Sequence, residues 1–256
     1  MRTISSISIV GAGNVAVHLA TGLLKAGIRI DYCWNRTQAK ATELASQLQC
    51  KIASKIEDLA ASDLILCAVS DDALAALIPQ LSAIAPVVAT SGTVDVVAIS
   101  GHFPIGVFYP LQTFSKNRSV ELSVVPIFIE SNSHEFKQSL KELGSKISHT
   151  VTELSWGKRV QLHLAAVFVN NFTNHLIDIA QQQLIEADLS FDWLKPLLLE
   201  TVEKLNDQTA YNAQTGPARR ADLTTIERHI AMLPTEQAAI YKLLSSSIQQ
   251  RYQQHD

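Results

Sequence analysis

The sequence predicts an α/β fold in which a doubly wound, mostly parallel sheet is followed by an all-α domain. Two observations carry this prediction. Up to residue 151, short β-rich runs alternate with helical segments, which is the pattern of βαβ units around a parallel sheet. After residue 151 no run is typical of a strand, and helical spacing continues for many turns. We therefore expect two domains, residues 1–151 and residues 152–256.

The strands are predicted from short runs rich in β-branched and other apolar residues. We expect them at Ile7–Val10, Ile28–Trp34, Leu64–Ser70, Pro86–Thr90, Gly106–Pro110, Val125–Glu130 and Lys146–Val151. The helices between them are expected at Ala12–Ala26, Thr37–Leu48, Asp71–Leu81 and His134–Leu143. The second half predicts helices within Trp156–Ala187, Phe191–Thr209, Ala221–Leu233 and Pro234–Tyr252.

Composition excludes several classes of protein. The chain has 256 residues and a net charge of -3, which argues against nucleic acid or an anionic membrane as its main partner. No run of about 20 apolar residues predicts a membrane-spanning helix, and the N-terminus does not have the pattern of a signal peptide. The cysteine number is odd, which predicts reduced thiols and a cytoplasmic location.

A glycine-rich turn follows the first predicted strand. Gly11, Gly13 and Ala16 form a G-x-G-x-x-A pattern between that strand and a helix. Gly11 would make the tight turn, Gly13 would let the backbone approach a pyrophosphate, and the helix N-terminus would face its negative charge. The alternative is a glycine turn that binds no ligand. The predicted pyrophosphate-binding residues are Gly11, Ala12, Gly13, Asn14 and Val15.

The end of the second strand selects between NAD and NADP. An enzyme that uses NAD usually offers a carboxylate there, whereas this chain has Asn35, Arg36 and Thr37. Arg36 can bind a 2′-phosphate, and its two neighbours can donate hydrogen bonds. Asp31 lies in mid-strand, where it cannot reach the ribose. The prediction is NADP(H), and the alternative is that Arg36 is a solvated surface residue.

Polar residues also follow the next two strands. Because ligands lie beyond the carboxyl ends of strands in an open parallel sheet, both clusters are expected on the path of the nicotinamide ribose. Asp72 is expected to begin a helix rather than act as a catalyst. The clusters are Ser70, Asp71 and Asp72 and then Thr90, Ser91 and Gly92, and the predicted contacts are Val69, Ser70 and Ser91.

Six motifs together resemble one family. They are GAGNVA, WNRT, AVSDDAL, YPLQTF, HLAAVFVNN and TGPARRAD. The chain resembles the Rossmann-like NADP oxidoreductases with a C-terminal helical domain of unknown function. These are relatives of pyrroline-5-carboxylate reductases, β-hydroxyacid dehydrogenases and deazaflavin-coenzyme-dependent NADP oxidoreductases. The resemblance implies a Rossmann domain that binds NADP. It also implies a helical domain that forms a homodimer and is similar to that of 6-phosphogluconate dehydrogenase. The resemblance further implies an active site between the two domains.

Two positions depart from the family pattern. Tyr109 and Pro110 stand where relatives carry a His-Pro pair, so a histidine role at that position does not transfer. Ala221 replaces a glycine between Arg220 and Asp222. An alanine at this point predicts that the loop backbone does not need a positive φ angle.

A polar stripe is predicted on the first helix of the second half. At about 100° per residue, Asn170 and Asn174 fall within about 20° of His163. Since most other positions of the helix are apolar, we expect it to be mostly buried and its polar groups to find partners. These partners would be either the substrate and nicotinamide or a helix across a dimer interface.

If the stripe is catalytic, His163 is the proposed proton donor because an imidazole titrates near neutrality. Asn170 would orient the substrate, and Tyr109 or Gln112 would line the cleft from the sheet side. The β-hydroxyacid dehydrogenases use a lysine on the comparable helix, and no lysine occupies this stripe. Neither a metal site nor a G-x-S-x-G hydrolase motif is predicted.

The loop TGPARRAD combines a turn with two arginines. Asp222 is placed to cap the following helix. Arg220, favoured over Arg219, would pair with a substrate carboxylate or reach the partner subunit. The sequence thus predicts a cytoplasmic, dimeric NADP(H)-dependent oxidoreductase acting on a small carbonyl, imine or hydroxy-acid substrate, whose identity it does not give. The alternatives are a non-catalytic NADP-binding sensor and an imine reductase of the pyrroline-carboxylate type.

Overall fold

A computed structural model describes residues 3–253, and one eight-stranded sheet organises them. The strand order is β3-β2-β1-β4-β5-β6-β7-β8. Only β7 runs antiparallel to its neighbour β6 among these described strands, and the other pairs are parallel. The strands are β1 (Ser6–Val10), β2 (Arg29–Trp34), β3 (Lys51–Ile52), β4 (Leu64–Cys67), β5 (Val87–Ala89), β6 (Ile105–Pro110), β7 (Ile127–Ser131) and β8 (Val151–Glu153).

Helices connect the strands and then make up the rest of the chain. The first four, which alternate with strands, are α1 (Asn14–Lys25), α2 (Gln38–Leu48), α3 (Asp71–Ser82) and α4 (His134–Ser145). The later ones are α5 (Trp156–Ala166), α6 (Thr173–Glu186), α7 (Lys195–Glu203), α8 (Ala210–Ala213), α9 (Leu223–Met232) and α10 (Thr235–Gln253). A π-helical turn, Val167–Phe172, joins α5 to α6.

Apolar side chains cover both faces of the sheet. One cluster packs α1, α2 and α4 against the strands, and Leu19, Leu44 and Leu140 are among its buried members. The other packs α3 on the opposite face through Leu74 and Ile78. Every residue of β1, β4, β5 and β6 is buried, as expected for central strands with helices on both sides. The predicted doubly wound α/β class is therefore confirmed.

The register brings the carboxyl ends of five strands to one edge of the sheet. Val10 pairs with Trp34 on one side and with Cys67 on the other. Cys67 pairs with Ala89, and Ala89 pairs with Val107 near the end of β6. The loops that follow β1, β2, β4, β5 and β6 therefore leave the sheet at the same edge, which is where ligands bind in folds of this class.

The chain divides into two compact units, Met1–Asn171 and Phe172–Asp256. The first unit contains the whole sheet and also α5, because Arg159 on that helix is buried and bonded to Glu130 of β7. The second unit is entirely helical in the part that the structure describes. The predicted border between residues 151 and 152 falls within β8, the last strand. That residues 1–151 and residues 152–256 are two domains with different roles stays a prediction.

Three local predictions were wrong. The strand predicted at Lys146–Val151 lies at Val151–Glu153, because the chain first turns through Ser148, whose hydroxyl donates to Val125 O at 2.6 Å. The strand β3 was missed because it has only two residues, both exposed. The helix carrying His163 was expected to be buried, yet Phe168 is 61% exposed and Val169 is 76% exposed in the isolated chain.

Ala221 corrects a further expectation, because its φ angle is +53°. Asp222 N donates to Pro217 O at 2.9 Å and Ala221 N donates to Ala218 O at 3.3 Å. This pair of backbone hydrogen bonds closes the helical turn in a way that requires a left-handed residue just before Asp222, a position that glycine usually takes. Ala221 therefore has a positive φ angle, and the prediction that the loop does not need one was wrong.

Candidate active site

The glycine turn after β1 has the shape that a pyrophosphate requires. Gly11 has a φ of +104°, and a Cβ there would lie 2.2 Å from Ala68 O, so only glycine fits. A Cβ at Gly13, by contrast, would meet no atom within 4 Å, so the space beside this backbone is open. Gly13 is the N-cap of α1 and no side chain caps that helix, which leaves its first N–H groups free for an anion. Ala12 and Val15 flank this turn and pack against the core.

The Asn14 side chain bonds a loop that is distant in sequence. Its side-chain Nδ2 donates to Phe114 O at 2.9 Å, so the amide holds a distant loop. The backbone N–H of Asn14 remains at the first turn of α1.

The residues at the end of β2 form an exposed corner. Asn35 Nδ2 donates to Thr37 O at 3.0 Å, and Thr37 begins α2 without capping it. Arg36 is exposed and forms no ion pair with any residue between 3 and 253. Asp31 lies within β2 at a bulge, where it accepts from Ser62 Oγ at 2.9 Å and pairs with Arg29. Its carboxylate is therefore already satisfied away from the strand end.

The predicted contacts after β4 and β5 differ in exposure. Ser70 is an exposed N-cap of α3 whose hydroxyl caps nothing, and Val69 is half-buried beside the glycine turn. Asp71 and Asp72 form the first turn of α3, as expected. Ser91 is buried, and its Oγ accepts from the backbone N–H groups that follow it, at 3.1 and 3.0 Å, so it shapes the turn.

Tyr109 and His163 meet at this edge of the sheet. The Tyr109 hydroxyl lies 2.9 Å from Nδ1 of His163, although 54 residues separate them in the sequence. Tyr109 lies in β6 and is 8% exposed, while His163 lies near the end of α5. The two residues named from separate arguments in the sequence therefore form one pair.

The protonation of this pair follows from its surroundings. Burial raises the pKa of Tyr109, the positive charge of Arg159 opposes this, and the negative charge of Asp71 adds to it. Since the net shift is upward, Tyr109 remains protonated at neutral pH, so its hydroxyl can donate to Nδ1 of His163. In the tautomer in which Nδ1 accepts, Nε2 carries the proton, and the described residues offer it no hydrogen-bond acceptor.

Gly92 makes room for the pair. A Cβ at this position would lie 2.7 Å from His163 Nδ1 and 3.0 Å from the Tyr109 hydroxyl. The loop after β5 therefore packs its backbone directly on the hydrogen bond. The sequence placed Gly92 in this cluster of strand-end residues but gave no sign of the steric role.

The pair opens into a cleft of about 570 Å³. Besides the pair itself, its polar lining consists of Gln112, Thr113, Asn170 and Asn171, and the remainder is apolar. Among the described residues that line it, none is Asp, Glu, Lys or Arg. Such a lining can hydrogen-bond a substrate but provides no cationic partner for a carboxylate.

The π-helical turn changes the predicted polar stripe. An ideal α-helix places Asn171 about 80° from His163, but Asn171 lines the cleft beside Asn170. A π turn holds an extra residue between hydrogen-bonded groups, so it rotates the residues that follow it relative to an α-helix. Asn171 was missed as a cleft residue, and only recognition of the π-helical turn in the sequence could have predicted its position.

Arg159 and Glu130 fix the helix that carries His163. The Arg159 side chain is 0% exposed; its Nη1 forms an ion pair with Glu130 and its Nη2 donates to Val94 O at 2.9 Å. Glu130 also accepts from Trp156 N at 3.0 Å, and the Trp156 indole donates to Thr93 O at 2.8 Å. The Thr93 hydroxyl in turn donates to Asp71. The start of α5 is thus bonded to β7 and to the loop after β5.

Comparison with known families matches two parts of the chain. Residues 6–98 match the family described as NADP oxidoreductase, coenzyme F420-dependent, and residues 125–248 match a domain of unknown function, DUF2520. Comparison with curated proteins gives no significant match. Among solved structures, a protein of Bacteroides fragilis described as a putative NADP oxidoreductase is 36% identical with a TM-score of 0.89. The match covers 96% of this chain and 98% of that one.

The chain belongs to the NADP oxidoreductases. NADP is accordingly the cofactor of this oxidoreductase, and the glycine turn fits its pyrophosphate for the steric reasons given above.

More distant structures share the fold. A pyrroline-5-carboxylate reductase of Streptococcus pyogenes is 15% identical, with a TM-score of 0.65 over 96% of this chain and 98% of that one. A reductive aminase of Aspergillus terreus in complex with NADPH is 19% identical, with a TM-score of 0.68 over 99% and 95%.

The second unit of the oxidoreductase contains the TGPARRAD loop. Arg219 and Arg220 line a cavity of about 540 Å³ with Gln214, Gln249 and Tyr252. The Arg219 guanidinium lies 4.2 Å from the centre of the Tyr252 ring, so it is held by stacking, whereas Arg220 is exposed. Asp222 caps α9, since its Oδ1 accepts from Thr225 N at 3.0 Å, and the predicted cap is confirmed.

Among residues 3–253, no group of three or more His, Cys, Asp or Glu side chains is arranged to hold a metal ion. Over the same residues, no helix has both the length and the apolar character needed to cross a membrane.

Proposed function

We propose that this NADP oxidoreductase transfers hydride between NADP(H) and a small carbonyl, imine or hydroxy-acid substrate bound in the Tyr109–His163 cleft. The observation that carries the proposal is the hydrogen bond from the Tyr109 hydroxyl to Nδ1 of His163. It fixes the imidazole and presents Nε2–H as a donor beside an open cleft. When bound, NADP supplies or accepts the hydride.

The pair provides the proton that reduction requires. Nε2–H of His163 gives its proton to the substrate oxygen or nitrogen, and the Tyr109 hydroxyl proton moves to Nδ1. The positive charge of Arg159, which lowers the pKa of Tyr109 against the effect of burial, stabilises the tyrosinate that forms. The tyrosinate then regains a proton from solvent, and oxidation runs through the same steps in reverse.

The remaining cleft residues orient the substrate. Asn170 and Asn171 offer amide donors and acceptors on one side, and Gln112 offers another from the loop after β6. Because the lining has no charged side chain, the reacting end of the substrate is proposed to be neutral. Arg220 lies in the second unit, and its predicted role in binding a substrate carboxylate stays a prediction, which an increase of KM for acidic substrates in Arg220→Gln would test.

The test is NADPH oxidation measured against panels of keto acids, ketones and cyclic imines, with the variant His163→Gln. We expect kcat to fall by about 10²- to 10⁴-fold, since this is the usual contribution of a general acid, while NADPH affinity stays unchanged. His149→Gln, an exposed histidine elsewhere on the first unit, is the matched control and should retain full activity. An unchanged kcat in His163→Gln would exclude the assignment. NADPH binding without turnover of any panel member would favour a sensor.

Arg36 is proposed to bind the 2′-phosphate of NADP. It is exposed, has no carboxylate partner among residues 3–253, and lies between Asn35 and Thr37 at the strand end. Fluorescence titration should show tighter binding of NADPH than of NADH in the wild type, and loss of that preference in Arg36→Ala. Equal affinities in the wild type would contradict this role.

A homodimer through the C-terminal helices is also proposed. The reason is the number of exposed apolar side chains on these helices, which include Leu197 at 63%, Leu199 at 61%, Val202 at 62%, Met232 at 73% and Leu243 at 72%. Large exposed apolar areas commonly mark protein–protein contacts. Light scattering should give twice the mass of one chain, and Leu199→Glu should reduce the measured mass to that of one chain.

For location we retain the prediction of a reducing cytoplasm, in which Cys33, Cys50 and Cys67 stay free.

A further inference from the structure

One face of α1 holds a segment that neither the motif nor the proposed function explains. Asn14, His18 and Gly22 are spaced four residues apart, so they lie along the same side of the helix. Residues 111–124, which follow β6, contact all three positions. We call residues 111–124 the strap.

Each contact is specific. Asn14 Nδ2 donates to Phe114 O at 2.9 Å, and His18 Nε2 donates to Ser115 O at 3.0 Å. The His18 ring also packs on Phe114, with 4.9 Å between ring centres. At Gly22, a Cβ would lie 2.2 Å from a methyl group of Leu122, so the glycine permits the strap to lie close to the helix.

The strap joins the two parts of the site. Its first residues include Gln112 and Thr113, which line the cleft beside His163. A few residues later it is tied to Asn14, which directly follows Gly13 of the glycine turn. The cofactor turn and the substrate cleft are therefore connected by a short stretch of backbone held by two side chains of α1.

The middle of the strap has little other support. Residues 115–119 are exposed, and the Lys116 ammonium forms a surface ion pair with Glu43 at 2.9 Å. Such a pair stabilises little in water. Segments with few buried contacts and exposed backbone open at low cost, so the hydrogen bonds from Asn14 and His18 carry a large share of the ordering.

We propose that Asn14 and His18 are positioning residues that couple NADP binding at the glycine turn to the ordering of the strap, and so to the placement of Gln112 and Thr113. A ligand that fixes the first turn of α1 also fixes the Asn14 side chain on the strap. By linkage, an ordered strap must strengthen NADP binding by the same factor. The inference rests on the proposed position of NADP at the glycine turn and is independent of the proton-donor role of His163.

The experiment is limited trypsin digestion of the full chain with and without saturating NADPH, followed by mass spectrometry. Lys116 and Arg118 are exposed trypsin sites within the strap. In the wild type, NADPH should slow cleavage at these two sites by about fivefold or more, the lower range of typical coupling. In Asn14→Ala and His18→Ala, cleavage should be fast and insensitive to NADPH.

Two readouts separate positioning from a general loss of structure. His18→Ala is expected to weaken NADPH binding by the same factor as the lost protection, whereas His18→Gln, whose amide can still donate to Ser115 O, should restore both. Ser119→Ala is the matched control, because that exposed serine of the strap holds no side-chain hydrogen bond with the described residues and does not line the cavity beside the glycine turn. It should behave as the wild type.

Equal cleavage rates with and without NADPH, in a wild-type sample shown by fluorescence to bind it, would overturn the coupling. Wild-type NADPH affinity in His18→Ala would do the same. A wild type that binds no NADPH would refute the cofactor position on which the inference rests. The turnover of His163→Gln, whether lost or retained, does not change any of these results. The proton-donor role of His163 and the coupling through the strap can therefore fail separately.

Discussion

Arg159 of α5 and Glu130 of β7 form an ion pair in which the arginine side chain is 0% exposed and the glutamate is 20% exposed. The guanidinium also donates to Val94 O, while its Nε has no hydrogen-bond partner among residues 3–253. His163 lies one helical turn further along α5. The buried pair therefore sets the position from which the imidazole reaches Tyr109.

The first prediction is that Arg159→Ala destabilises the protein by about 3–5 kcal/mol, the usual cost of leaving one partner of a buried pair without the other. Urea unfolding measures it. Lys158→Ala, which changes the exposed neighbour on the same helix, should be nearly neutral. If both variants unfolded at the same urea concentration, the pair would not anchor α5.

This pair also shows where prediction from sequence ends. Lys158 and Arg159 are adjacent cations at the start of an amphipathic helix, and such residues are usually solvated. Nothing local distinguishes the buried one, because its partner Glu130 is 29 residues away. The central strands and the glycine turn were predictable since their signals are local periodicity and backbone sterics, whereas the short edge strand β3 and the bounds of β8 were not. Tyr109 and His163 were each named, but their hydrogen bond depends on tertiary structure.

The second prediction concerns the titration of Tyr109. Burial raises its pKa above the ordinary value, so Tyr109 should ionise at a higher pH than a free tyrosine in an alkaline titration followed by tyrosinate absorbance. The stability that this shift contributes is fully present below the unfolded pKa of about 10 and is lost as the pH rises through the folded pKa. Tyr109→Phe should remove the late step.

Tyr32→Phe is the control for that titration, since the tyrosine lies on β2 and is only half-buried. It should leave the late step in place. If Tyr109→Phe removed a step at the ordinary tyrosine pKa instead, burial would not govern the ionisation of Tyr109.

The third prediction follows from the positive φ of Ala221. A left-handed backbone costs an alanine about 1–2 kcal/mol, and glycine recovers part of this while losing more freedom on folding. We expect Ala221→Gly to stabilise the protein by about 0.5–1 kcal/mol in thermal or urea unfolding. Ala213→Gly, in the short helix α8, should destabilise it instead. A loss of stability in Ala221→Gly would contradict the left-handed turn.

The last prediction tests the packing of Gly92 on the Tyr109–His163 hydrogen bond. In Gly92→Ala the new methyl group would lie 2.7 Å from Nδ1 of His163 and 2.9 Å from Tyr109 Cζ, so the two rings must separate. Since a displacement of about 1 Å can cost 10²-fold in rate, we expect kcat to fall by about that factor while NADPH affinity is retained. Gly157→Ala is the matched control, because a Cβ there meets no atom within 4 Å and alanine favours the helix. Wild-type kcat in Gly92→Ala would mean that the hydrogen bond is not needed for proton transfer, whereas equal losses in both variants would point to a change in folding.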